Sequence, residues 1–328
     1  MKSQIPSSEA RVKALLLLAF GGPRSLDDVE PFLTRLFRGR KPSSEQLERI
    51  KERYRLIGGC SPLPEITSKQ AVALENSLNA KGYAFRSYVG MRYGNPLIED
   101  ALKRILDDGI REVLSLPMTP FRSRASTGAY IEEVNHVNKN LGEKAEASFV
   151  EGWHLHPLFI EAIRDKIEEG LMQFIPGKRK KVHLIFSAHS LPKSLVKDDP
   201  YVKDMEEGVK EVLKKVEPLP WHIAFQSKGM GPEEWLGPDV ESVLEELSNK
   251  EIHEVLIVPI GFVSDHIEIL YDIDILYRNK AKILGMELKR TPSLNASKRF
   301  IEALTAIVEE NIKKGFQDSR SQGLERKF

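Results

Sequence analysis

Residues 182–192 read VHLIFSAHSLP, and residues 255–268 read VLIVPIGFVSDHIE. Each stretch is a short apolar run, rich in β-branched residues, that stops at a turn, and this pattern is typical of a buried strand. His189 follows the first run and Glu268 follows the second. Because ligands of open α/β sheets bind just outside the carboxyl ends of the strands, both side chains are predicted at such a site.

Short apolar runs recur along the chain and alternate with amphipathic stretches. The strand-like runs cover residues 14–20, 84–90, 112–117, 182–188, 221–226 and 254–260. Examples of helical periodicity lie at residues 96–108, 160–174 and 238–249. This alternation of β and α elements predicts an α/β fold with parallel sheets that are flanked by helices on both faces.

The two halves of the chain repeat one pattern. Residues 112–117 read EVLSLP and residues 254–259 read EVLIVP, and each follows a helix-like stretch that opens at a proline. The repeat predicts two similar Rossmann-like lobes, each a parallel sheet flanked by helices. A ligand would then lie between the lobes.

We place the N-terminal lobe at residues 1–150 and the C-terminal lobe at residues 151–328. The first lobe carries a helix-rich insertion at residues 41–81 and a lip of the expected site. The last helix is expected to pack back on the N-terminal lobe. Residues 313–328 are expected to form a polar tail, as chain ends often do.

The bulk composition excludes several classes of protein. The chain has 328 residues, 41% of them hydrophobic, and its net charge of +1 gives no argument for a nucleic-acid partner. Cys60 is the single cysteine, so the chain cannot form an internal disulfide or supply the four thiolates of an iron–sulfur cluster. Such cysteine usage is typical of a reducing compartment, and we expect a cytoplasmic protein. Residues 14–20 resemble the apolar part of a signal peptide, but Gly-Gly-Pro follows them without a small-x-small cleavage site, so we interpret them as a buried strand. No segment approaches the ~20 apolar residues of a membrane span.

His189 and Glu268 offer two kinds of chemistry. Imidazole and carboxylate together can bind a divalent metal such as Fe²⁺, and they can also transfer protons. Both residues have a structural interpretation as well, because His189 could be a hydrogen-bonded structural group and Glu268 could complete a capping box with Asp265. Asp265, Glu268 and Asp272 are spaced i, i+3 and i+7, which places three carboxylates on one helical face and suggests a path for a cation.

Other candidate sites are weaker. His154 and His156 flank Leu155 and could bind a metal, but we interpret them as part of a surface turn. A cationic and apolar segment at residues 32–41 is either an ordinary amphipathic helix or a lip for a flat ligand with carboxylates. The chain has no GxGxxG, P-loop or GxSxG motif, which disfavours a nucleotide-dependent transferase and a serine hydrolase.

Several motifs together resemble those of the ferrochelatase family. They are SAHSLP at 187–192, QSK at 226–228, WLGPD at 235–239, GFVSDHIE at 261–268, RGRKP at 38–42 and IGGCSPL at 57–63. The resemblance runs in order from about Leu15 to about Leu304. It implies the class II chelatase fold and the insertion of Fe²⁺ into a porphyrin during haem biosynthesis.

The resemblance also implies roles for individual residues. His189 and Glu268 would handle the metal and accept protons, and Asp265 and Asp272 would form a relay. The side chains implied to contact the porphyrin are Phe20, Arg53, Tyr54, Ser61 and Tyr130. Fe²⁺ would be a substrate rather than a permanently bound cofactor, and Cys60 alone cannot hold the cluster of the cluster-bearing type.

Two positions depart from the family pattern and leave the porphyrin open. Phe20 stands where relatives that use coproporphyrin III often have tyrosine, and Phe37 stands where they often have arginine. Neither change selects protoporphyrin IX. A cobalt chelatase for a reduced tetrapyrrole and a non-catalytic tetrapyrrole carrier are the competing interpretations. A monomer is expected, and contact of the lip with a membrane or with other haem-pathway enzymes stays open.

Overall fold

Two four-stranded parallel sheets organise the computed structural model, which describes residues 11–229 and 232–325, without the side chains of 315–325. The strands of the first sheet are β1 Lys13–Ala19, β2 Phe85–Met91, β3 Glu112–Pro117 and β4 Glu146–Phe149. Their spatial order is β2-β1-β3-β4, and all neighbours are parallel.

The second sheet repeats the first. Its strands are β5 His183–His189, β6 Trp221–Gln226, β7 Glu254–Val258 and β8 Glu287–Arg290. They lie in the order β6-β5-β7-β8, so the first strand of each half again lies between the second and the third. The duplicated α/β architecture predicted from the repeated motif is therefore confirmed, and β4 and β8 are short strands that the apolar runs did not reveal.

Helices connect the strands in both halves. The α-helices are α1 Val29–Leu36, α2 Ser44–Leu56, α3 Leu63–Asn79, α4 Ile98–Asp107, α5 Ala129–Asn140, α6 Pro157–Leu171, α7 Lys193–Val196, α8 Tyr201–Leu213, α9 Val240–Asn249, α10 Arg278–Ile283 and α11 Lys298–Glu325. Two π-helical segments, Arg124–Gly128 and Glu268–Tyr277, follow β3 and β7. A 3₁₀ turn covers Arg179–Lys181. Helices α2 and α3 fill the predicted insertion.

Strand β1 is buried on both faces, which explains its unbroken apolar sequence. Leu15 and Leu17 belong to a hydrophobic cluster that also contains Leu184 of β5, whereas Leu16 and Leu18 pack into a second cluster under α4 and α5. The cluster that Leu15 shares with Leu184 includes residues from both halves of the chain. The two sheets are thus joined by continuous apolar packing.

Helix α11 lies against helices of both halves, since it contacts α3 and α6. The ring of Phe300 on α11 lies 6.1 Å from the ring of Trp153 and 6.5 Å from that of Phe159. The backbone of α11 continues through most of the expected polar tail, while residues 326–328 lie outside the described residues. Within the described ranges, no helix combines the length and the apolar character needed to cross a bilayer. The proposed boundary at residue 150 stays a prediction.

A charged clamp joins the loop after β3 to helix α8. The Arg122 guanidinium donates to Asp204 through Nε at 2.9 Å and Nη2 at 2.7 Å, and its backbone N–H also donates to Asp204 Oδ2 at 2.9 Å. Two residues on, the backbone N–H of Arg124 donates to Asp199 Oδ2 at 2.7 Å. The clamp fixes the loop of the first half to the α8 region of the second, and the Asp204 side chain is fully buried within it.

Replacing Arg122 with alanine should lower the free energy of unfolding by about 3 kcal/mol, because the Asp204 carboxylate stays buried without its counter-charge. Burial opposes the charged form, but the bonds from Arg122 outweigh it and lower the pKa of Asp204. The stabilisation is therefore present above the unfolded pKa, about 3.9, and is lost as the pH falls through the folded value. Urea unfolding from neutral pH to about pH 3 measures both effects.

Arg124→Ala is the matched control for this experiment. The Arg124 side chain is 70% exposed and lies 3.8 Å from Asp199, so its loss should cost much less. An equal loss of stability in the two variants would contradict the account of the clamp.

Candidate active site

His189 and Glu268 are in direct contact in the folded chain. Nδ1 of His189 lies 2.8 Å from Oε2 of Glu268, although the two residues are 79 positions apart. His189 is the last residue of β5, and Glu268 opens the π-helical segment that follows β7. Because β5 and β7 are neighbouring parallel strands, their carboxyl ends deliver both side chains to one edge of the sheet.

The main chain at both positions is held by buried polar side chains. Gln226, which is paired with His189 across β5 and β6, donates through Nε2 to the Glu268 carbonyl at 2.8 Å. Its Oε1 accepts from Ser187 Oγ at 2.8 Å. On the other side, the Tyr201 hydroxyl donates to the His189 carbonyl at 2.9 Å. The imidazole and the carboxylate are therefore positioned from rigid elements.

Replacing Tyr201 with phenylalanine tests this positioning. The change removes one hydrogen bond from the His189 carbonyl, worth about 0.5–1.5 kcal/mol, and should lower kcat for the metal insertion that the family resemblance implies roughly 2–10-fold. KM for the porphyrin implied by the same resemblance should stay unchanged, since Tyr201 is buried. Steady-state kinetics separates the two constants, and Tyr83→Phe, far along the chain on the α3–β2 connection, is the control. A rise in porphyrin KM with unchanged kcat would contradict a positioning role.

Three acidic and basic groups at this edge influence one another. Burial disfavours the charged form of His189, but the charge and hydrogen bond of Glu268 outweigh burial and raise the pKa of His189 above its usual value. The pKa of Glu268 lies well below its usual value, because His189 outweighs the effect of burial there too. Burial, with a smaller contribution from the charge of Glu268, raises the pKa of Asp272 to about 6. Asp272 therefore exchanges a proton near neutral pH, and it accepts a hydrogen bond from Ser227.

Asp265 lies outside the helical face on which Glu268 stands. Its Oδ1 accepts from Ser293 Oγ at 2.7 Å, and its Oδ2 accepts from Asn295 Nδ2 at 2.8 Å. Arg290 Nη2 lies 3.3 Å from the same carboxylate. The shared face expected from the spacing does not include Asp265, because the helix begins at Glu268 and winds with π geometry.

Phe20 presents an aromatic surface beside the first sheet. It follows β1 directly and remains 42% exposed. Its ring lies 4.8 Å from the ring of Tyr93 and 6.2 Å from that of Phe32. Phe20 and Tyr93, backed by the buried ring of Phe32, form an apolar wall that a flat ligand could cover.

Helix α2 of the insertion packs against the π-helical segment that carries Glu268. Arg53 lies with its Cζ 5.0 Å above the ring centroid of Tyr271, a residue of that π-helical segment. Tyr54 is buried, and burial together with the charge of Glu268 raises the pKa of its hydroxyl. The structure thus brings Arg53 and Tyr54, predicted from the first half, into the surroundings of Glu268.

Ser61 and Tyr130 are buried within the protein, each 7% exposed. The backbone N–H of Ser61 donates to the Pro23 carbonyl at 2.8 Å, and a Cβ at Gly22 would lie 2.5 Å from the Ser61 side chain, so only glycine fits there. Tyr130 packs at the start of α5, where burial raises the pKa of its hydroxyl. Direct contact of these two side chains with a ligand stays a prediction.

The sequence did not single out several residues that surround the pair. His266 lies with its Nε2 3.9 Å from Glu268 Oε2, and its Nδ1 donates to the Ser264 carbonyl at 3.0 Å. Ser227, Tyr201 and Tyr93 were missed as well. His266 lies within GFVSDHIE and Ser227 within QSK, and both motifs follow strand ends. Their position could therefore have indicated that both residues lie near the site.

The two histidines that flank Leu155 serve different purposes. His156 caps α6, with its Nδ1 accepting from the Leu158 N–H at 3.3 Å. His154 is only 3% exposed, so the interpretation of both residues as a surface turn is wrong for His154. The His154 ring packs inward, 6.0 Å from the ring of Phe121.

Solved structures with a similar arrangement define the class of fold. The sirohydrochlorin chelatase SirB from Bacillus subtilis subspecies spizizenii, in complex with cobalt, aligns with a TM-score of 0.54 at 12% identity, over 91% of this chain and 94% of that one. CbiX, the terminal enzyme for biosynthesis of sirohaem in denitrifying bacteria, aligns with a TM-score of 0.52 at 10% identity, over 91% of this chain and 99% of that one. The fold is that of the class II chelatases.

Sequence comparison narrows the class to one family. The family model of ferrochelatase matches residues 12–312. The ferrochelatase of Geotalea uraniireducens is 42% identical over 317 residues, which cover 91% of this chain and 98% of the relative. The coproporphyrin III ferrochelatase of Oceanobacillus iheyensis is 37% identical over 309 residues, which cover 93% and 98%. The chain belongs to the ferrochelatase family.

Proposed function

We propose that this chain inserts Fe²⁺ into a porphyrin in haem biosynthesis, with His189 and Glu268 as the residues that handle the metal and the protons. The observation that carries the proposal is the 2.8 Å contact between His189 Nδ1 and Glu268 Oε2 at a sheet edge. Family membership supports the same reaction. Fe²⁺ enters this reaction as a substrate.

His189 is the proton acceptor in this proposal. A free-base porphyrin carries two N–H protons that must leave before a metal can occupy the plane of the ring. The Glu268 carboxylate beside His189 raises the pKa of the imidazole, which makes it a stronger base than a free histidine. The imidazole Nε2 is the atom that faces away from Glu268 and can receive the proton.

Glu268 is the first anionic group for the incoming Fe²⁺. A cation bound at Glu268 repels the proton on His189, so arrival of iron favours release of that proton. Asp272, with a pKa of about 6, is suited to pass protons on near neutral pH. We assign Asp272 to the relay, with Asp265 as a more distant member whose carboxylate is held by Ser293 and Asn295.

The porphyrin would lie against the exposed ring of Phe20. Arg53 supplies a cation for a ring carboxylate, and Tyr54, Ser61 and Tyr130 complete the proposed substrate-binding set. Binding across the rest of the ring would offset the strain of a tilted pyrrole, about 1–5 kcal/mol. Tilting exposes one pyrrole nitrogen to the base.

An anaerobic assay tests the proposal and selects the porphyrin. The purified protein is given Fe²⁺ with coproporphyrin III or with protoporphyrin IX, and absorbance follows the product. Faster turnover of one ring assigns the substrate that Phe20 and Phe37 leave open. Binding of both rings without turnover would overturn the proposal and favour a carrier. Activity confined to Co²⁺ and sirohydrochlorin would instead assign a cobalt chelatase.

We further propose a cytoplasmic monomer that holds no permanent cofactor and no iron–sulfur cluster. The single cysteine supports a reducing compartment. Sedimentation of the purified chain with and without lipid vesicles would test both the monomeric state and a peripheral membrane contact.

A further inference from the structure

His154 is a buried imidazole whose ring nitrogens have no hydrogen-bond partner among the residues that the structure describes. Its side chain is 4% exposed. Most buried polar side-chain atoms in proteins are hydrogen-bonded, so two unpaired ring nitrogens mark His154 as a candidate ligand residue.

Two carboxylates of helix α8 flank this imidazole. Asp204 Oδ2 lies 3.6 Å from His154 Nδ1, and Glu207 Oε2 lies 3.7 Å from His154 Nε2. The two acidic residues are spaced i, i+3 and therefore face the same way. These separations are too long for hydrogen bonds, and they involve opposite ring nitrogens, of which only one can face a shared ion. One ligand atom from each of the three residues nevertheless lies within 4.8 Å of the other two, which is the grouping expected around a shared metal ion.

The three groups leave room for a cation. Asp204 accepts three N–H bonds from Arg122, which leaves about one of the four lone-pair positions of a carboxylate. Glu207 is 38% exposed and gives the cluster a route to solvent.

We propose that His154, Asp204 and Glu207 form a binding site for one divalent transition-metal ion of the Zn²⁺ type, separate from His189 and Glu268. Imidazole nitrogen and carboxylate oxygen are both ligands that Zn²⁺ accepts, and Zn²⁺ prefers four ligands and often keeps one position for water. The open position would face the surface pocket that is lined by Leu155, Glu207, Lys210, Glu211, Leu213 and Lys214.

The proposed metal site shares Asp204 with the clamp and shares helix α8 with Tyr201, which bonds to the His189 carbonyl. Tyr201 lies one helical turn before Asp204. An ion at this place would tie the 154 loop to α8. Zn²⁺ should therefore raise the melting temperature of the metal-free protein.

Calorimetric titration of the metal-free full chain with Zn²⁺ tests the proposal. The titration uses a His189→Ala background, so that metal bound at the catalytic pair does not mask the second site. Glu207→Gln should weaken Zn²⁺ binding by more than the roughly 10–100-fold that loss of an outer-shell partner costs. It should also remove the Zn²⁺-dependent rise in melting temperature.

Glu206→Gln is the matched control, because Glu206 is the neighbouring residue on α8 and is 49% exposed. Its Zn²⁺ affinity and stoichiometry should equal those of the background. Co²⁺ offers a second readout, since tetrahedral Co²⁺ absorbs visible light and the absorption should vanish in Glu207→Gln. Equal Zn²⁺ binding in the two glutamine variants, or no binding in the background, would overturn the proposal.

Discussion

Replacing His189 with alanine should lower the rate of iron insertion by about 10²–10⁴-fold while porphyrin affinity stays unchanged. The expected size is that of a positioned general base. The imidazole contacts Glu268 through Nδ1, so the other nitrogen is the base that the proposal assigns to the pyrrole proton. The aromatic wall around Phe20 is untouched by the change, which is why binding of the ring should survive.

Two measurements separate loss of chemistry from loss of binding. The anaerobic insertion assay gives the rate, and quenching of porphyrin fluorescence gives the dissociation constant. His136→Ala is the control, because His136 lies exposed on α5 and bonds to Asn140 on the same helix. A His189→Ala protein that kept most of its rate would contradict the assignment, and one that lost porphyrin binding equally would point to a structural role for His189.

The long apolar strands of this fold could be predicted from the sequence. Strands β1 and β5 are buried on both faces and therefore read as near-continuous apolar runs. Strands β4 and β8 were missed, because each is a four-residue edge strand with charged or half-exposed residues, EASF and ELKR. Runs this short carry too little periodicity to separate a strand from a loop.

The catalytic pair could be predicted only in part. The position of His189 and Glu268 after strand ends was visible in the sequence, but their contact depends on β5 pairing with β7, which long-range packing decides. Asp265 was predicted on the same face as Glu268 because the prediction assumed 3.6 residues per turn from Asp265 onward. In the structure Asp265 precedes the helix, and the segment from Glu268 is π-helical. The hydrophobic periodicity of a sequence does not distinguish a π-helical segment from an α-helix.

The sequence did not indicate that His154 is buried, and the reason differs from that for Asp265. Its neighbours Leu155 and His156 are a surface-exposed leucine and a helix cap, so the local pattern indicates a turn. What draws His154 inward is packing against Phe121, whose ring lies 6.0 Å away and comes from the loop after β3. Contacts between distant segments thus decide which histidines are available for ligands.

Replacing Glu268 with glutamine should lower the insertion rate at saturating Fe²⁺ by about 100-fold and raise the Fe²⁺ concentration needed for half-maximal rate. Glutamine has nearly the same shape and can still accept a hydrogen bond from His189 Nδ1. It lacks the charge that raises the pKa of His189 against burial, so the base becomes weaker. It also lacks the anionic oxygen that the proposal gives to the incoming ion.

The two constants should respond differently in this variant. KM for Fe²⁺ should rise while the porphyrin dissociation constant changes little, and Glu241→Gln on the exposed face of α9 should change neither. The opposite pattern, with weaker porphyrin binding and an unchanged KM for Fe²⁺, would mean that Glu268 orients the ring rather than the metal. Because glutamine preserves shape and removes only charge, either result identifies what the carboxylate contributes.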